Sequence, residues 1–264
     1  LFYINRFQNR YKYRDQGIDR NLVRCIKAYY YACISFIDFQ LGRILAALEE
    51  TGQLDDTLII CTSDHGELLG DYNSFGKRSM HDASCRVPML VRYPKRFAAG
   101  AVCTRPASLV DIAPTVLAAA GAKIATHRLD GLDLADVAAG KTDRKLVFAQ
   151  HGRLGKASYM AVSEEWKYVY SAPDGRAFLF DRVRDPLETR NKSGVPFTKE
   201  IEETLKLALI EHLVEGGETG GVEDGDWRPF PRLEVPENPD AGLLVQDHPW
   251  AKTHIEGYTP KTRK

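Results

Sequence analysis

No two cysteines in this chain are spaced for a metal or redox site. There is no Cys-x-x-Cys, and the five cysteines, Cys25, Cys33, Cys61, Cys85 and Cys103, are odd in number and scattered. That argues against a disulfide framework and a zinc cage. We therefore expect free thiols, mostly buried, with a reducing compartment fitting slightly better. Net charge is lacking too: 36 basic residues balance 36 acidic ones. Neither nucleic acid nor an anionic membrane surface is then expected as the main partner. By eye, no apolar run approaches the roughly 18–20 residues of a membrane helix, so no span is expected. No signal peptide is visible. The chain opens on Leu1 rather than Met, so its location stays open between cytoplasm and periplasm.

What is present suits an α/β fold. At 264 residues the chain can bury one large core, or one core plus a smaller appendage. Residues 1–19 read as a connecting segment. From 21 to 50, apolar residues recur in steps of three and four (Leu22, Ile26, Tyr30, Cys33, Ile37, Leu41, Ile44, Leu48), which predicts a long amphipathic helix stopped by Gly52. TLIICT (57–62) and PMLVRY (88–93) read as buried strands joined by a long polar loop. SLVDIAPTVLAAA (108–120) reads as a helix with Asp111 as its N-cap and Gly121 at its end; LDGLDLADVAAGK (129–141) reads as a loop and a short helix. KLVFAQ, SYMAV, WKYVYS and AFLFDRV are short alternating runs, with Pro173-Asp174-Gly175 as a turn, and predict an antiparallel sheet. Residues 199–215 carry Ile201, Leu205, Leu209 and Leu213 on one helical face. The tail, 216–264, is rich in Gly and Pro and is either disordered or draped over another surface.

The stretch TSDHGELLGDYNSFGK (62–77) carries the chemistry. If TLIICT is a central parallel strand, Asp64 and His65 stand beyond its carboxyl end, where ligands of open α/β sheets bind. A carboxylate and a neutral imidazole can both ligate a divalent cation. Gly66 would let the chain turn away and leave room for an ion. Lys77 can set a point charge on an anion held there. Two adjacent ligands do not complete a site, and on these residues alone a polar turn competes with a metal site. Glu67 is read as a helix-start or supporting group. His151 is either a pocket residue or part of a surface turn. Trp166, Tyr168 and Tyr170 are read as sheet packing.

The ordered set Thr62-Ser63-Asp64-His65-Gly66-Glu67, Gly70-Asp71, Gly76-Lys77, His81-Asp82 and Arg86-Val87-Pro88 resembles the C-terminal metal motif of the type I sulfatases, of the alkaline phosphatase superfamily. SLVDIAPTVLAAAGA with LDGLDL, and WKYVYS with LFDRVRDPLETRN, are similar to later family segments. The likeness runs from about residue 20 to 215. It implies a sulfatase-like α/β sheet with flanking helices, plus a small C-terminal antiparallel sheet packed with a helix. It divides the chain into 1–143 (the C-terminal part of a catalytic domain), 144–215 (the small subdomain) and 216–264 (the tail).

The resemblance also implies roles. Asp64 and His65 would be metal ligands, Lys77 would bind sulfate and stabilise charge on the leaving oxygen, and His81 would stand at the substrate pocket's edge. Asp82 and Arg86 would be structural. One divalent cation is implied, Ca²⁺ first and Mn²⁺ or Mg²⁺ as alternatives. The family's formylglycine nucleophile comes from Cys/Ser-x-Pro-x-Arg, which is not found here; Cys103 and Ser171 only approach it. The chain is thus expected to be a C-terminal portion, inactive alone. The expected activity is hydrolysis of a sulfate ester, small or on a glycan. A phosphonate monoester or phosphodiester hydrolase and a non-catalytic scaffold are the alternatives. A homo-oligomer built through the tail is a further expectation.

Overall fold

The computed structural model describes residues 20–122 and 129–231. The connecting segment 1–19, residues 123–128 and the tail from 232 lie outside the described residues. The periodic N-terminal segment forms a helix over Arg20–Glu50 (α1). It ends where Gly52 adopts φ 69°, with the Gly52 and Gln53 N–H groups closing on the Glu49 and Leu48 carbonyls. Its apolar face is not covered: Tyr30, Ile37, Leu41 and Ile44 are all exposed, and so are Tyr29, Tyr31, Phe36 and Phe39 elsewhere on the helix. The expected absence of a long apolar stretch also needs correction. Val23–Glu50 contains an 18-residue window of mean hydropathy 1.4, long and apolar enough by composition to cross a membrane. Asp38, Gln40 and Arg43 interrupt the run, while the Ile, Leu, Phe, Cys and Ala around them keep the window's mean apolar.

A strand over Ile59–Thr62 (β1) pairs antiparallel with Met89–Arg92 (β2), placing Thr62 opposite Met89. Both were expected to be buried, and β1 was read as a candidate central parallel strand, whereas its partner among the described residues runs antiparallel. β1 is half-buried throughout and Leu90 is exposed, because among the described residues this ribbon has only two strands. Between them lie the motif loop and a short helix, Asp82–Cys85 (α2). The next helix spans Ile112–Ala119 (α3), and a shorter one, Leu134–Ala138 (α4), is capped by the Asp133 carboxylate. Asp111 does precede α3, but not as its N-cap: Ser108 opens the helical run, and the Asp111 carboxylate closes a capping box with it. It is fully buried, accepts the Ser108 and Leu132 N–H groups and pairs with Arg144 at 2.5 Å. Asp111 thereby pins the Asp130-Gly131 turn, where any Cβ would meet the Val110 carbonyl at 2.0 Å.

The four alternating runs form a meander of Val147–His151 (β3), Ser158–Val162 (β4), Trp166–Ser171 (β5) and Arg176–Asp181 (β6). Both faces are covered. Tyr159, Ala161, Tyr168 and Leu179 pack against Leu205, Leu209 and Leu213 of the helix Lys199–Glu215 (α5). Met160, Val162, Val169 and Phe180 pack on the other side against Met80 and Cys85. The start of the tail is draped rather than loose. A hairpin of Val222–Glu223 (β7) and Asp226–Trp227 (β8) lays Trp227 flat on Tyr170, with centroids 4.4 Å apart, and its indole N–H donates to the Tyr168 hydroxyl. All five cysteines are free as expected, but Cys25, Cys33 and Cys103 are exposed, two of them because α1 is uncovered.

Candidate active site

β1 delivers Asp64 and His65 to the surface at its carboxyl end. Thr62 holds that end down, donating from Oγ1 to the Pro88 carbonyl at 2.7 Å. Ser63 Oγ donates to the His65 carbonyl at 2.8 Å, and the Asp64 carboxylate accepts the His65 N–H at 3.0 Å. His65 Nδ1 lies 2.9 Å from the Gly66 carbonyl, which has only lone pairs, so Nδ1 carries the proton. Nε2 then points outward with its lone pair, 3.2 Å from Asp64 Oδ2 and 2.5 Å from the Lys77 ammonium. Two lone-pair donors therefore converge on a cationic group. The neighbouring chain slightly desolvates Asp64. The adjacent His65 ring, two backbone N–H groups and Lys77 outweigh that and hold its carboxyl below the ordinary range.

This donor set fits one side of a hard or borderline cation site. The Nδ1–H···O=C bond is how proteins usually orient a ligating imidazole. It is only one side: among the described residues no group of three or more His, Cys, Asp and Glu comes together for a metal.

Lys77 is placed by a strained loop. Glu67 accepts the Gly76 N–H as well as the Leu69 N–H, and the Leu68 N–H closes on the Gly76 carbonyl at 2.9 Å. Leu69, Tyr72 and Arg78 all hold positive φ (47°, 54° and 77°), a conformation that surrounding contacts must enforce. Glu67 thus closes the loop rather than starting a helix. Gly66 is needed for a reason other than a sharp turn. A Cβ there would lie 2.2 Å from the Ala83 carbonyl, and its N–H donates to the Ser84 carbonyl at 2.7 Å.

His81 and Asp82 sit deeper. His81 is buried and stacked on Tyr72, with centroids 3.8 Å apart, and its Nδ1 lies 3.1 Å from Glu188. Asp82 pairs with Lys167 of β5 and, at 3.6 Å, with Arg182. Lys167 is fully buried and also pairs with Glu188; that contact is one of charge, since Glu188 Oε1 has no aligned hydrogen bond. Burial alone would lower the Lys167 pKa, but Cys85, Glu188 and Asp82 raise it above the ordinary value. Burial pushes the Cys85 thiol up to about 11. His151, half-buried at the end of β3, is lowered by burial and then by the charge of Arg78. A hollow of about 610 Å³ lined by Trp166, Arg184, Arg190 and Phe197 takes no residue from the motif loop.

Comparison with known proteins settles the family. The sulfatase profile matches residues 1–122, and a profile for the C-terminal region of N-sulphoglucosamine sulphohydrolase matches residues 70–215. The chain belongs to the type I sulfatase family. An arylsulfatase of Clostridium perfringens is 33% identical over 208 residues, covering 77% of this chain and 43% of that protein. A solved structure in complex with its substrate D-glucosamine-2-N,6-O-disulfate superposes with a TM-score of 0.66 at 28% identity, over 72% of this chain and 41% of the other. The phosphonate monoester hydrolase of Agrobacterium radiobacter superposes with a TM-score of 0.63 at 31% identity, over 73% and 41%.

This sulfatase-family chain therefore spans about two fifths of the length of these relatives. Its fold is the sulfatase and alkaline-phosphatase-like α/β class, with the small antiparallel sheet and its helix. Of the residues the motif singled out, Asp64, His65 and Lys77 meet, while His81 joins the buried cluster with Glu188. Lys167 and Tyr72 escaped the sequence reading. A lysine inside a WKYVYS strand is the signal that could have exposed the first, since strand interiors rarely bury a charge without a partner.

Proposed function

We propose that this chain is the C-terminal portion of a sulfuric ester hydrolase and carries one side of its metal and sulfate site. The observation that carries the reading is the convergence of Asp64 Oδ2, His65 Nε2 and Lys77 Nζ on one point at the end of β1. Asp64 and His65 would hold the divalent cation, Ca²⁺ first and Mn²⁺ or Mg²⁺ as alternatives. Bound there, it would supply Lewis acidity toward the sulfate and the nucleophile. Lys77 places a fixed positive charge beside the ligands, where it offsets charge on a sulfate oxygen and on the departing alcohol oxygen. Glu67 and the strained loop keep that ammonium in place. His81 belongs to the proposal through the loop it anchors at the pocket's edge. The formylglycine nucleophile and the remaining metal ligands are assigned to polypeptide outside this chain.

In this reading residues 1–143 are the C-terminal part of the catalytic domain, 144–215 the small subdomain and 216–264 the tail. The exposed face of α1 packs within the completed domain, consistent with the sulfatase profile running through it. An oligomer through the tail would rely on residues past 231. The substrate is a sulfate ester, small or on a glycan. The phosphonate hydrolase likeness supports a second reading, a phosphonate monoester hydrolase on the same scaffold. The deciding experiment assays this chain and the longer polypeptide that contains it on an aryl sulfate and an aryl phosphonate ester. The longer polypeptide is expected to prefer the sulfate and this chain to turn over neither. Turnover by this chain at the parent's rate would overturn the assignment of the nucleophile elsewhere. A preference for the phosphonate would favour the second reading.

A further inference from the structure

We propose that Lys167 is a positioning residue for the Asp64–His65 turn, acting from the small sheet through α2. The proposal rests on the site reading above, but its geometry is independent of any ligand. Lys167 lies fully buried on the β5 face that also carries Val169. Its ammonium donates to the Met80 carbonyl at 3.0 Å and to the Asp82 carboxylate, and pairs with Glu188. Glu188 in turn accepts the Asp82 N–H at 2.8 Å and faces His81. The first turn of α2 is thus gripped from the sheet side by one cation and one carboxylate. The Asp64–His65 turn rests on the next residues of the same short helix. Gly66 donates to Ser84 and touches Ala83 so closely that no side chain fits between. Gly66 also supplies the carbonyl that sets the His65 tautomer. One short path, Lys167 to α2 to Gly66 to His65, joins a buried charge to the outward nitrogen of His65.

The choice of a lysine supports this. Packing alone would be served by an apolar side chain, and a buried ion pair is weak evidence for stability. Where such groups are retained, fixing one arrangement among several is their best-attested use. Four residues on the path or beside it, Leu69, Tyr72, Arg78 and Glu188, hold positive φ, and the Tyr72 hydroxyl donates to the Leu187 carbonyl next to Glu188. The loop that carries Lys77 is therefore fastened to the same cluster.

The test uses this 264-residue chain without metal or substrate. Lys167→Met keeps the length and removes the charge, and Glu188→Gln is the milder variant should the first not fold. Amide exchange is read at Gly66 and across β4, together with the imidazole ¹⁵N shifts of His65. Folded Lys167→Met is expected to speed exchange of the Gly66 amide about tenfold more than that of β4 amides, within the range of coupled neighbours. The His65 shifts should move from the Nδ1–H pattern toward a mixture of tautomers. Glu188→Gln should give a smaller change of the same kind. In the longer polypeptide, Lys167→Met should lower kcat on an aryl sulfate by ~10-fold with KM nearly unchanged, as misplacement of reacting groups does. If Gly66 exchange rises no more than that of β4 and the His65 tautomer holds in whichever variant folds, Lys167 merely stabilises the sheet and the proposal is overturned. Asp64→Ala activity tests the site reading separately, so failure of one is not failure of the other.

Discussion

The small sheet and the β1–β2 ribbon differ in how completely this chain covers them. β4 is buried at every position, with α5 on one face and α2 with Met80 on the other. β1 is half-buried, α1 presents aromatic side chains to solvent, and Asp64 and Lys77 are exposed. Stability is concentrated in the first region and the candidate chemistry in the second. The difference teaches that the reactive side chains are not held by burial of their own surroundings. They are held by attachment to a region that is buried, through α2.

The largest effects should fall on turnover. Lys77→Ala or Asp64→Ala in the longer polypeptide should lower kcat about 10²–10³-fold, the usual loss when one group stabilising transition-state charge is removed. The melting temperature should barely move, because both side chains are exposed. Full activity in either variant would break the assignment of chemistry to this turn. The converse substitution is Leu209→Ala, at a fully buried position between α5 and the sheet. It should cost about 3 kcal/mol in a denaturant titration, through lost transfer energy and a residual cavity. Turnover per folded molecule should stay close to wild type. If Leu209→Ala changed kcat more than stability, the two regions would not be separable.

The part of the fold set by local periodicity was legible in the sequence. α5 begins and ends where its leucine face and Gly216 place it, and the four strands of the meander fall on their β-rich runs. The convergence of Asp64, His65 and Lys77 was legible through the motif, because loop closure by Glu67 is encoded within ten residues. Long-range pairing was not. Lys167 meets Asp82 across 85 positions of sequence; its place inside a strand hints that it has a partner, but nothing local says which. Nor does sequence reveal that Gly66 is required by contact with Ala83, or that Asp111 reaches Leu132 and Arg144 besides closing a capping box with Ser108. The amphipathic pattern of α1 was legible as well, but such a pattern states which face wants cover, not whether the same chain supplies it.

A smaller effect sharpens the link between the regions through pH. Desolvation raises the Asp82 pKa, but Lys167, Arg182 and Arg86 together bring it below the ordinary value. A depressed folded pKa contributes stability that is present above the unfolded value of about 3.9 and is lost as pH falls through the folded value. Lys167 is raised, so its contribution is complete below about 10.4 and is lost as pH rises through its folded value. The cluster should therefore leave thermal stability flat between about pH 5 and 9, with losses at both ends. Asp82→Asn should lower the plateau and shrink the acid-side loss. An unchanged acid limb, measured by thermal melts across pH, would mean that other carboxylates dominate.

The smallest predicted effect separates the two arginines that approach Asp82. Arg86 lies 3.5 Å away in i,i+4 geometry, but its side chain is 69% exposed. Water screens that pair, and Arg86→Ala should cost no more than about 0.5 kcal/mol. Arg182 stands at 3.6 Å yet is only 20% exposed, and it also donates to the Ser163 carbonyl at 2.6 Å. Removing it leaves that carbonyl and Asp82 short of a partner inside the sheet edge, so Arg182→Ala should cost distinctly more, about 1–3 kcal/mol. Nearly equal distances with unequal costs would show that burial, not proximity, decides what the Asp82 cluster holds. Equal costs in matched denaturant titrations would place Asp82 in effectively aqueous surroundings and weaken the case that α2 is fastened through it.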